Sequence, residues 1–328
     1  MVRRLRLAYC GTPVFAVPAL DALVAAGHEI ALVLTQPDRP VGRKQTITAS
    51  AVKVRAQELG LALDQPEKIR HNEELRARLE TIAPDAIVVV AYGKILPEWM
   101  LQLPPLGCIN LHASLLPRHR GAAPIQWALA EGDAVTGNTT MKLDAGLDTG
   151  PILLQQSVPI DPQDTAVELF SRLAQVGAPL IVETLDGLAA GTIRPKEQDA
   201  GKATLARLLQ REDGRMDFAA FTATQLWNRW RGFQPWPGAF TTWKGKKLIA
   251  HRVRPAHRAQ VSTPGRVAVE DQRLLVACSS GTWLEILELQ TEGRNRSSAA
   301  DFLRGLDSPS EISFGDNASS SEIAASEI

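Results

Sequence analysis

The feature that most constrains the fold is an alternation of short apolar runs with helical segments over the first 190 residues. The runs at 5–10, 29–35 and 85–92 have strand length, and their nearly continuous apolar character suits strands covered on both faces. A helix is predicted over 14–26, with Pro13 near its first position and Gly27 at its end. This order favours parallel βαβ units and a doubly wound, mostly parallel, Rossmann-like α/β sheet.

The second half of the chain has a different pattern. Short alternating runs around 248–255, 265–271, 273–280 and 282–290 predict a small antiparallel β-barrel of OB-like type. The polar stretch 192–212 reads as a linker. The end is serine-rich and acidic without lysine or arginine, which is typical of disorder. We therefore predict domains at 1–191 and 213–306, a linker at 192–212 and a disordered tail at 307–328.

The overall composition excludes several classes of protein. Lys plus Arg and Asp plus Glu are 36 each, so net charge indicates no polyanionic partner. The three cysteines are widely separated and lack metal-ligand spacing, which fits reduced thiols in the cytoplasm. No signal peptide or run of 18 apolar residues is present, and no membrane association is expected. The opening YCGTPVF lacks the G-x-G-x-x-G pattern, which argues against a dinucleotide site.

Three polar residues near the middle of the chain form a candidate active site. Asn110 and His112 are two residues apart, so on a strand they share one face. Asp148 lies between Gly146 and Gly150, whose backbone freedom suits a tight loop. An amide donor, an imidazole and a carboxylate are the parts that acyl-type transfer needs. The alternatives are a strand-end cap, a satisfied core histidine and a turn aspartate.

Local charge suggests a partner that the total charge conceals. Residues 225–258 contain eight Lys or Arg, no acid and four tryptophans. Basic residues interleaved with aromatics fit contact with a nucleic-acid backbone, although a tryptophan core with a solvated basic face explains the pattern equally well. The segment 39–53 is also basic and is long for a plain connection. Two basic elements around one site favour a large polyanionic substrate.

Several motifs, in order and at matching spacing, resemble the methionyl-tRNA formyltransferase family. They are AYCGTPVFAVPAL, LTQPDRPVGRK, VVVAYGKILP, GCINLHASLLPRHRGAAPIQWAL, LDAGLDTGPIL and RGFQPWPGAF. INLHASLLP and GLDTG mark the wider group of 10-formyltetrahydrofolate-dependent formyltransferases. The basic loop and the Trp-rich second domain are what indicate tRNA.

The resemblance implies a role for particular residues. Asn110, His112 and Asp148 correspond to the catalytic trio, with 10-formyltetrahydrofolate as formyl donor, initiator methionyl-tRNA as acceptor, and no metal. The implied folate-contacting segment is Ser114, Leu115, Leu116 and Pro117. The residues implied to contact tRNA are Arg43, Lys44, Arg229, Arg231, Lys244, Lys246 and Lys247.

Some interpretations stay open on sequence alone. Cys108 is a conceivable catalytic thiol, although a buried strand residue is favoured. Arg118 and Arg120 are candidates for folate or phosphate contact, or for plain surface residues. A related formyltransferase acting on a sugar-nucleotide amine, or a formyltetrahydrofolate hydrolase, would keep the same trio. The expected oligomeric state is a monomer.

Overall fold

The structure is a computed structural model that describes residues 4–41, 45–306 and 312–315. The chain divides into two compact units. Unit 1 comprises Met1–Ile125, Ala134–Asp161 and Glu168–Arg207, and unit 2 comprises Gln126–Asp133, Pro162–Val167 and Leu208–Ile328.

Unit 1 is built on a seven-stranded sheet in the order β5, β2, β1, β6, β7, β8, β9. The five strands from β5 to β7 are parallel, while β8 and β9 are antiparallel. The first nine strands of the chain are β1 Arg6–Gly11, β2 Glu29–Leu34, β3 Arg39–Val41, β4 Thr46–Thr48, β5 Leu63–Asp64, β6 Ala86–Val90, β7 Cys108–His112, β8 Val135–Lys142 and β9 Ile152–Pro159. The predicted mostly parallel α/β sheet is confirmed.

Helices occupy most of the connections between these strands. They are α1 Val17–Ala25, α2 Ala51–Glu58, α3 Glu73–Ile82, α4 Glu98–Leu101, α5 Pro124–Glu131 and α6 Ala166–Ala190. Local sequence explains where they begin: the Ser50 side chain accepts from the Lys53 amide and that of Asn72 from the Leu75 amide. The predicted first helix begins as a 3-10 turn at Val14–Ala16 and continues as α1.

Helix α6 packs against β8. The side-chain amide of Asn138 donates to the Leu173 carbonyl (2.9 Å), and the hydroxyls of Thr140 and Thr184 lie 2.7 Å apart. By length and composition alone α6 could also span a membrane, as many buried core helices could. Its buried Leu169 and Leu185 and these contacts with β8 make it a core helix of unit 1.

Unit 2 contains a six-stranded antiparallel sheet with helices α7 and α8. The sheet order is β10, β11, β14, β13, β12, and β15 pairs with β14. The elements are α7 Ala223–Gly232, β10 Phe240–Trp243, β11 Lys246–Ala256, β12 Val267–Glu270, β13 Arg273–Ala277, β14 Trp283–Thr291, β15 Ser297–Ser298 and α8 Ala299–Arg304. The predicted antiparallel architecture of this half is confirmed.

Trp227, Trp230 and Trp243 pack against the apolar core of unit 2. Trp236, by contrast, is 55% exposed. Most of the tryptophan enrichment is therefore explained by the core rather than by nucleic-acid contact.

Four residues of the predicted disordered tail are ordered. Ile312 and Phe314 are buried in unit 2, where the Val267 amide donates to the Ile312 carbonyl (3.0 Å) and the Phe314 amide to the Gly265 carbonyl (2.9 Å). Two apolar side chains in a polar sequence find places in an existing core, a tertiary effect that composition does not reveal. The predicted disorder of 307–328 did not anticipate these contacts of 312–315, and the rest of the tail lies outside the described residues.

Candidate active site

Asn110 and His112 lie near the carboxyl end of β7, the last of the parallel strands. Its neighbours are β6, where Val89 is opposite Asn110, and β8, where Thr139 is opposite His112. The carboxyl ends of β1, β6 and β7 meet here, beside the point where strand order reverses, the usual ligand site of such sheets. His112 is buried and Asn110 is half-buried.

The structure brings Asp148 against His112. Its Oδ2 lies 3.6 Å from His112 Nδ1 and accepts a hydrogen bond from the Gly121 amide (2.8 Å). Asp148 has a φ of +52°, in the left-handed region that non-glycine residues rarely adopt. Tertiary contacts therefore hold the backbone of Asp148 in a strained conformation, as is common at functional sites.

The proton on the imidazole can be located from its partners. His112 Nε2 lies 2.9 Å from the carbonyl oxygen of His119. A carbonyl oxygen can only accept, so Nε2 carries a proton. Nδ1, on the other side of the ring, faces the Asp148 carboxylate.

The two glycines that flank Asp148 permit close packing. Neither has a positive φ; a Cβ on Gly150 would lie 1.9 Å from the Lys142 carbonyl oxygen, and one on Gly146 2.0 Å from Thr149 Oγ1. From the sequence, the glycines are expected to supply unusual backbone turns. In the structure the unusual turn is at Asp148 and the glycines supply space.

The segment Ser114, Leu115, Leu116 and Pro117 follows β7 directly and is fixed by polar contacts. Thr139 Oγ1 accepts from the Leu116 backbone amide (3.1 Å) and donates to the Ser114 carbonyl (2.6 Å), and Gln155 Nε2 donates to the Leu116 carbonyl (2.9 Å). The Leu116–Pro117 peptide is cis. Ser114 and Leu116 are buried, which leaves Leu115 and Pro117 partly accessible.

Cys108 is a buried structural residue. It is 1% exposed, its thiol donates to the Met100 carbonyl (3.3 Å), and burial raises its pKa to about 12. A thiol with such a pKa is a poor nucleophile near neutral pH. Its burial and raised pKa therefore argue against the alternative of a catalytic cysteine.

The arginines predicted on α7 are engaged inside unit 2. Arg231 is 5% exposed, and its guanidinium donates to the Asp164 carbonyl (3.2 Å) and to Asn228 Oδ1 (2.7 Å). Arg229 lies over Phe221, 4.6 Å from the ring centroid, and donates to the Asp213 carbonyl (3.0 Å). Burial and these partners account for Arg231, and contacts within unit 2 account for half-buried Arg229, so contact of either arginine with tRNA stays a prediction.

The lysines predicted on the second domain lie at the β10–β11 hairpin. Lys244 and Lys246 are exposed, on either side of Gly245, whose φ is +70°. Lys247 is half-buried over Phe240, 4.1 Å from the ring centroid, and burial lowers its pKa. Arg43 and Lys44 lie outside the described residues.

Three residues that support the candidate site were not predicted from the sequence. His119 supplies the carbonyl that binds His112, Thr139 anchors the segment after β7, and Gln198 contacts the Asp148 loop. Thr139 stands out only as a polar residue in a buried strand. Gln198 lies in the predicted linker, where nothing in the local sequence singles it out.

The chain matches the family described as formyl transferase over residues 4–185 and its C-terminal domain over 208–307. It therefore belongs to the formyl transferases. A methionyl-tRNA formyltransferase from Acidobacterium capsulatum is 60% identical over 301 residues, 92% of this chain and 96% of the relative. Another, from Koribacter versatilis, is 54% identical and covers 91% and 95%. The chain is a member of the methionyl-tRNA formyltransferase family.

Solved structures with low sequence identity share the fold. HypX from Aquifex aeolicus in complex with tetrahydrofolic acid has a TM-score of 0.59 at 15% identity, covering 92% of this chain and 47% of that one. WlaRD, a sugar 3N-formyl transferase solved with dTDP and 5-N-formyl-THF, has a TM-score of 0.62 at 16% identity, covering 89% and 100%. At these identities the likeness concerns the fold alone.

Proposed function

We propose that this protein transfers the formyl group of 10-formyltetrahydrofolate to the α-amine of initiator methionyl-tRNA. The observation that carries formyl transfer is the His112–Asp148 pair beside Asn110 at the carboxyl edge of the sheet. The acceptor is supported by the relatives at 60% and 54% identity, which are named methionyl-tRNA formyltransferases. We further propose that the protein acts in the cytoplasm as a monomer without membrane attachment.

Each member of the trio has a separate task in the proposed reaction. The amine nitrogen attacks the formyl carbon, the carbonyl electrons move to oxygen, and the bond from carbon to N10 of the folate then breaks. Asn110 donates a hydrogen bond to the developing oxyanion. The His112–Asp148 pair takes the proton that the amine loses, and the leaving N10 regains one, so the step balances without a metal.

The protonated Nε2 of His112 sharpens this assignment. Because Nε2 is already committed to the His119 carbonyl, the basic atoms of the pair are Nδ1 and the Asp148 oxygens. Proton uptake is therefore proposed on the Asp148 side of the ring. For His112 itself to donate to the oxyanion, one of its nitrogens must first exchange its present partner.

For the donor, we propose that the segment Ser114, Leu115, Leu116 and Pro117 contacts the folate. Because Ser114 and Leu116 are buried, the proposed contact is made by the backbone and by Leu115 and Pro117. The threonine and glutamine contacts that fix this segment support a preformed binding wall.

For the tRNA, we propose that Lys244, Lys246 and Lys247 contact phosphates. Arg43 and Lys44 are proposed to reach the acceptor end. We propose 1–191 as the catalytic domain and 213–306 as the tRNA-binding domain, joined by 192–212, with an OB-like barrel as the frame of the second domain.

The test is formylation with 10-formyltetrahydrofolate and charged initiator methionyl-tRNA, with elongator methionyl-tRNA and a sugar-nucleotide amine as parallel acceptors. Formyl-methionine on the initiator tRNA is the expected product. Formylation of the sugar amine alone, or release of formate without transfer, would instead support one of the related activities. Arg43→Ala is expected to raise KM for tRNA while leaving folate KM unchanged, and an unchanged tRNA KM contradicts the role given to that residue.

A further inference from the structure

We infer that Gln198, in the stretch between the two family domains, is a positioning residue for the catalytic aspartate. The inference rests on the proposed function. The Gln198 side-chain amide donates to the carbonyl oxygens of Asp148 (2.9 Å) and Gly150 (2.7 Å). Both acceptors lie in the loop whose backbone turns through the left-handed conformation at Asp148.

The orientation of the Gln198 carboxamide is fixed by its other partner. Its Oε1 accepts from Arg120 Nε (3.0 Å) and Nη2 (2.8 Å). A guanidinium only donates and a carbonyl oxygen only accepts, so a flipped amide would oppose like groups on both sides. Arg120 therefore holds Gln198, and Gln198 holds the Asp148 loop; Arg120 is accounted for by this contact rather than as a plain surface residue.

The surrounding backbone keeps this side chain in place. Lys196 and Ile152 exchange two backbone hydrogen bonds of 2.8 Å each just before Gln198. Farther along, the Arg120 amide donates to the Thr204 carbonyl (2.8 Å) and the Ala206 amide to the Arg120 carbonyl (2.7 Å). The segment 196–206, predicted as a linker, is thus hydrogen-bonded to Ile152, just after the Asp148 loop, and to Arg120. Gln198 itself is half-buried, and its two neighbours in sequence are exposed.

The physical consequence concerns the position of one carboxylate. Asp148 must keep a φ of +52° for Oδ2 to face His112 Nδ1 and the Gly121 amide. The left-handed conformation is unfavourable for a residue with a Cβ and persists only when contacts enforce it. Two hydrogen bonds from one amide to the carbonyls of residues 148 and 150 hold both ends of this turn. Without them the turn is free to relax and the carboxylate moves away from the imidazole.

The experiment compares Gln198→Met with Gln198→Glu in steady-state formylation. Methionine matches the length without hydrogen bonds, while glutamate keeps an oxygen for Arg120 but has no donor for the two carbonyls. Both variants are expected to lose about 10- to 100-fold in kcat, because displacements near 1 Å cost this much, with folate and tRNA KM changed less than about threefold. Glu197→Met, at an exposed neighbour, is the control and should behave as wild type.

A double-mutant cycle separates positioning from a general structural effect. In an Asp148→Asn background, Gln198→Met should have little further effect on kcat, because the group that it positions no longer acts. Full activity in Gln198→Glu, or an equal loss in the Asp148→Asn background, would overturn the inference. If wild type itself fails to formylate methionyl-tRNA, the proposed function fails, and the same cycle measured on formate release from 10-formyltetrahydrofolate still tests Gln198.

Discussion

His112 Nδ1 and Asp148 Oδ2 lie 3.6 Å apart. Each of these two side chains also makes a hydrogen bond to a backbone group. The imidazole is tied to the His119 carbonyl and the carboxylate to the Gly121 amide. In the proposed reaction, the facing atoms of the pair are therefore the ones that exchange a proton with substrate. The relationship makes the pair a single unit whose members depend on each other.

Replacing either member should therefore have similar effects. His112→Ala and Asp148→Asn are each expected to lower kcat by about 10²- to 10⁴-fold, the usual contribution of positioned proton transfer. The double variant should be little worse than either single one. His71→Ala changes an exposed histidine and is the control. Undiminished formylation by His112→Ala would remove the mechanism.

Cys108 offers a test of the thiol mechanism that its burial argues against. Because its thiol is buried with a pKa raised to about 12, Cys108→Ala should keep kcat within about threefold of wild type. The small cavity should lower the free energy of unfolding by about 1 kcal/mol. Both quantities can be measured on one preparation, by formylation kinetics and by urea unfolding. A loss of 10²-fold or more in kcat with intact folding would argue for a reacting sulfur.

Gly150 tests the packing of the Asp148 loop. A Cβ there would lie 1.9 Å from the Lys142 carbonyl oxygen, so Gly150→Ala must shift the loop. We expect kcat to fall about 10- to 100-fold by misplacement of the carboxylate. Gly201→Ala, where the nearest atom outside the chain neighbours is Asp199 Oδ1 at 3.3 Å, should be close to neutral. Equal kinetics for the two variants would show that the loop tolerates the displacement.

Two glutamates on β14 provide a matched comparison for the stability of unit 2. Burial raises the pKa of Glu285, but hydrogen bonds from Arg273 and Arg254 outweigh it and lower the pKa overall. The Glu285 side chain is 4% exposed, whereas Glu288, which pairs with Arg252 and Arg296, is 28% exposed.

Glu285→Gln should lower the free energy of unfolding by roughly 1.5–3 kcal/mol, because it weakens buried charge-assisted hydrogen bonds. Glu288→Gln should cost about 0–1 kcal/mol, as expected for an exposed pair. Since the pKa of Glu285 is lowered on folding, its contribution is present above the ordinary carboxyl pKa and is lost as pH falls through the folded value. Urea unfolding at neutral and acidic pH measures both effects, and equal costs for the two variants would contradict the role of burial.

His28 should give unit 1 a pH-dependent stability of its own. Burial lowers its pKa, against the opposing charge of Asp186, so the unfolded chain binds the proton more readily. Stability should therefore fall as pH drops below the ordinary histidine pKa of about 6.5 and recover above it. The fall should be smaller in His28→Gln. Urea unfolding at pH 5.5 and 7.5 compares the two proteins, and an identical pH dependence would assign the effect to other groups.

Local pattern was sufficient for the framework of this protein. The apolar runs and helix signals determine the βαβ order, the spacing of Asn110 and His112 places them on one face of β7, and alternating runs predict the antiparallel sheet. These features depend on contacts between near neighbours in sequence or on periodicity, so a single chain carries the information. The motifs around them were also sufficient to indicate the formyl transferase family.

Only the tertiary structure decided which charged groups face solvent and which support the site. Arg231 is a basic residue whose side chain is nevertheless buried. Ile312 and Phe314 belong to a polar segment of the sequence, yet both side chains are buried in unit 2. Gln198 reaches Asp148 across 50 residues. Such contacts depend on where distant segments meet, and burial changes the chemistry of a side chain without changing its identity. The sequence determined what parts the active site contains, and folding decided how each part is held.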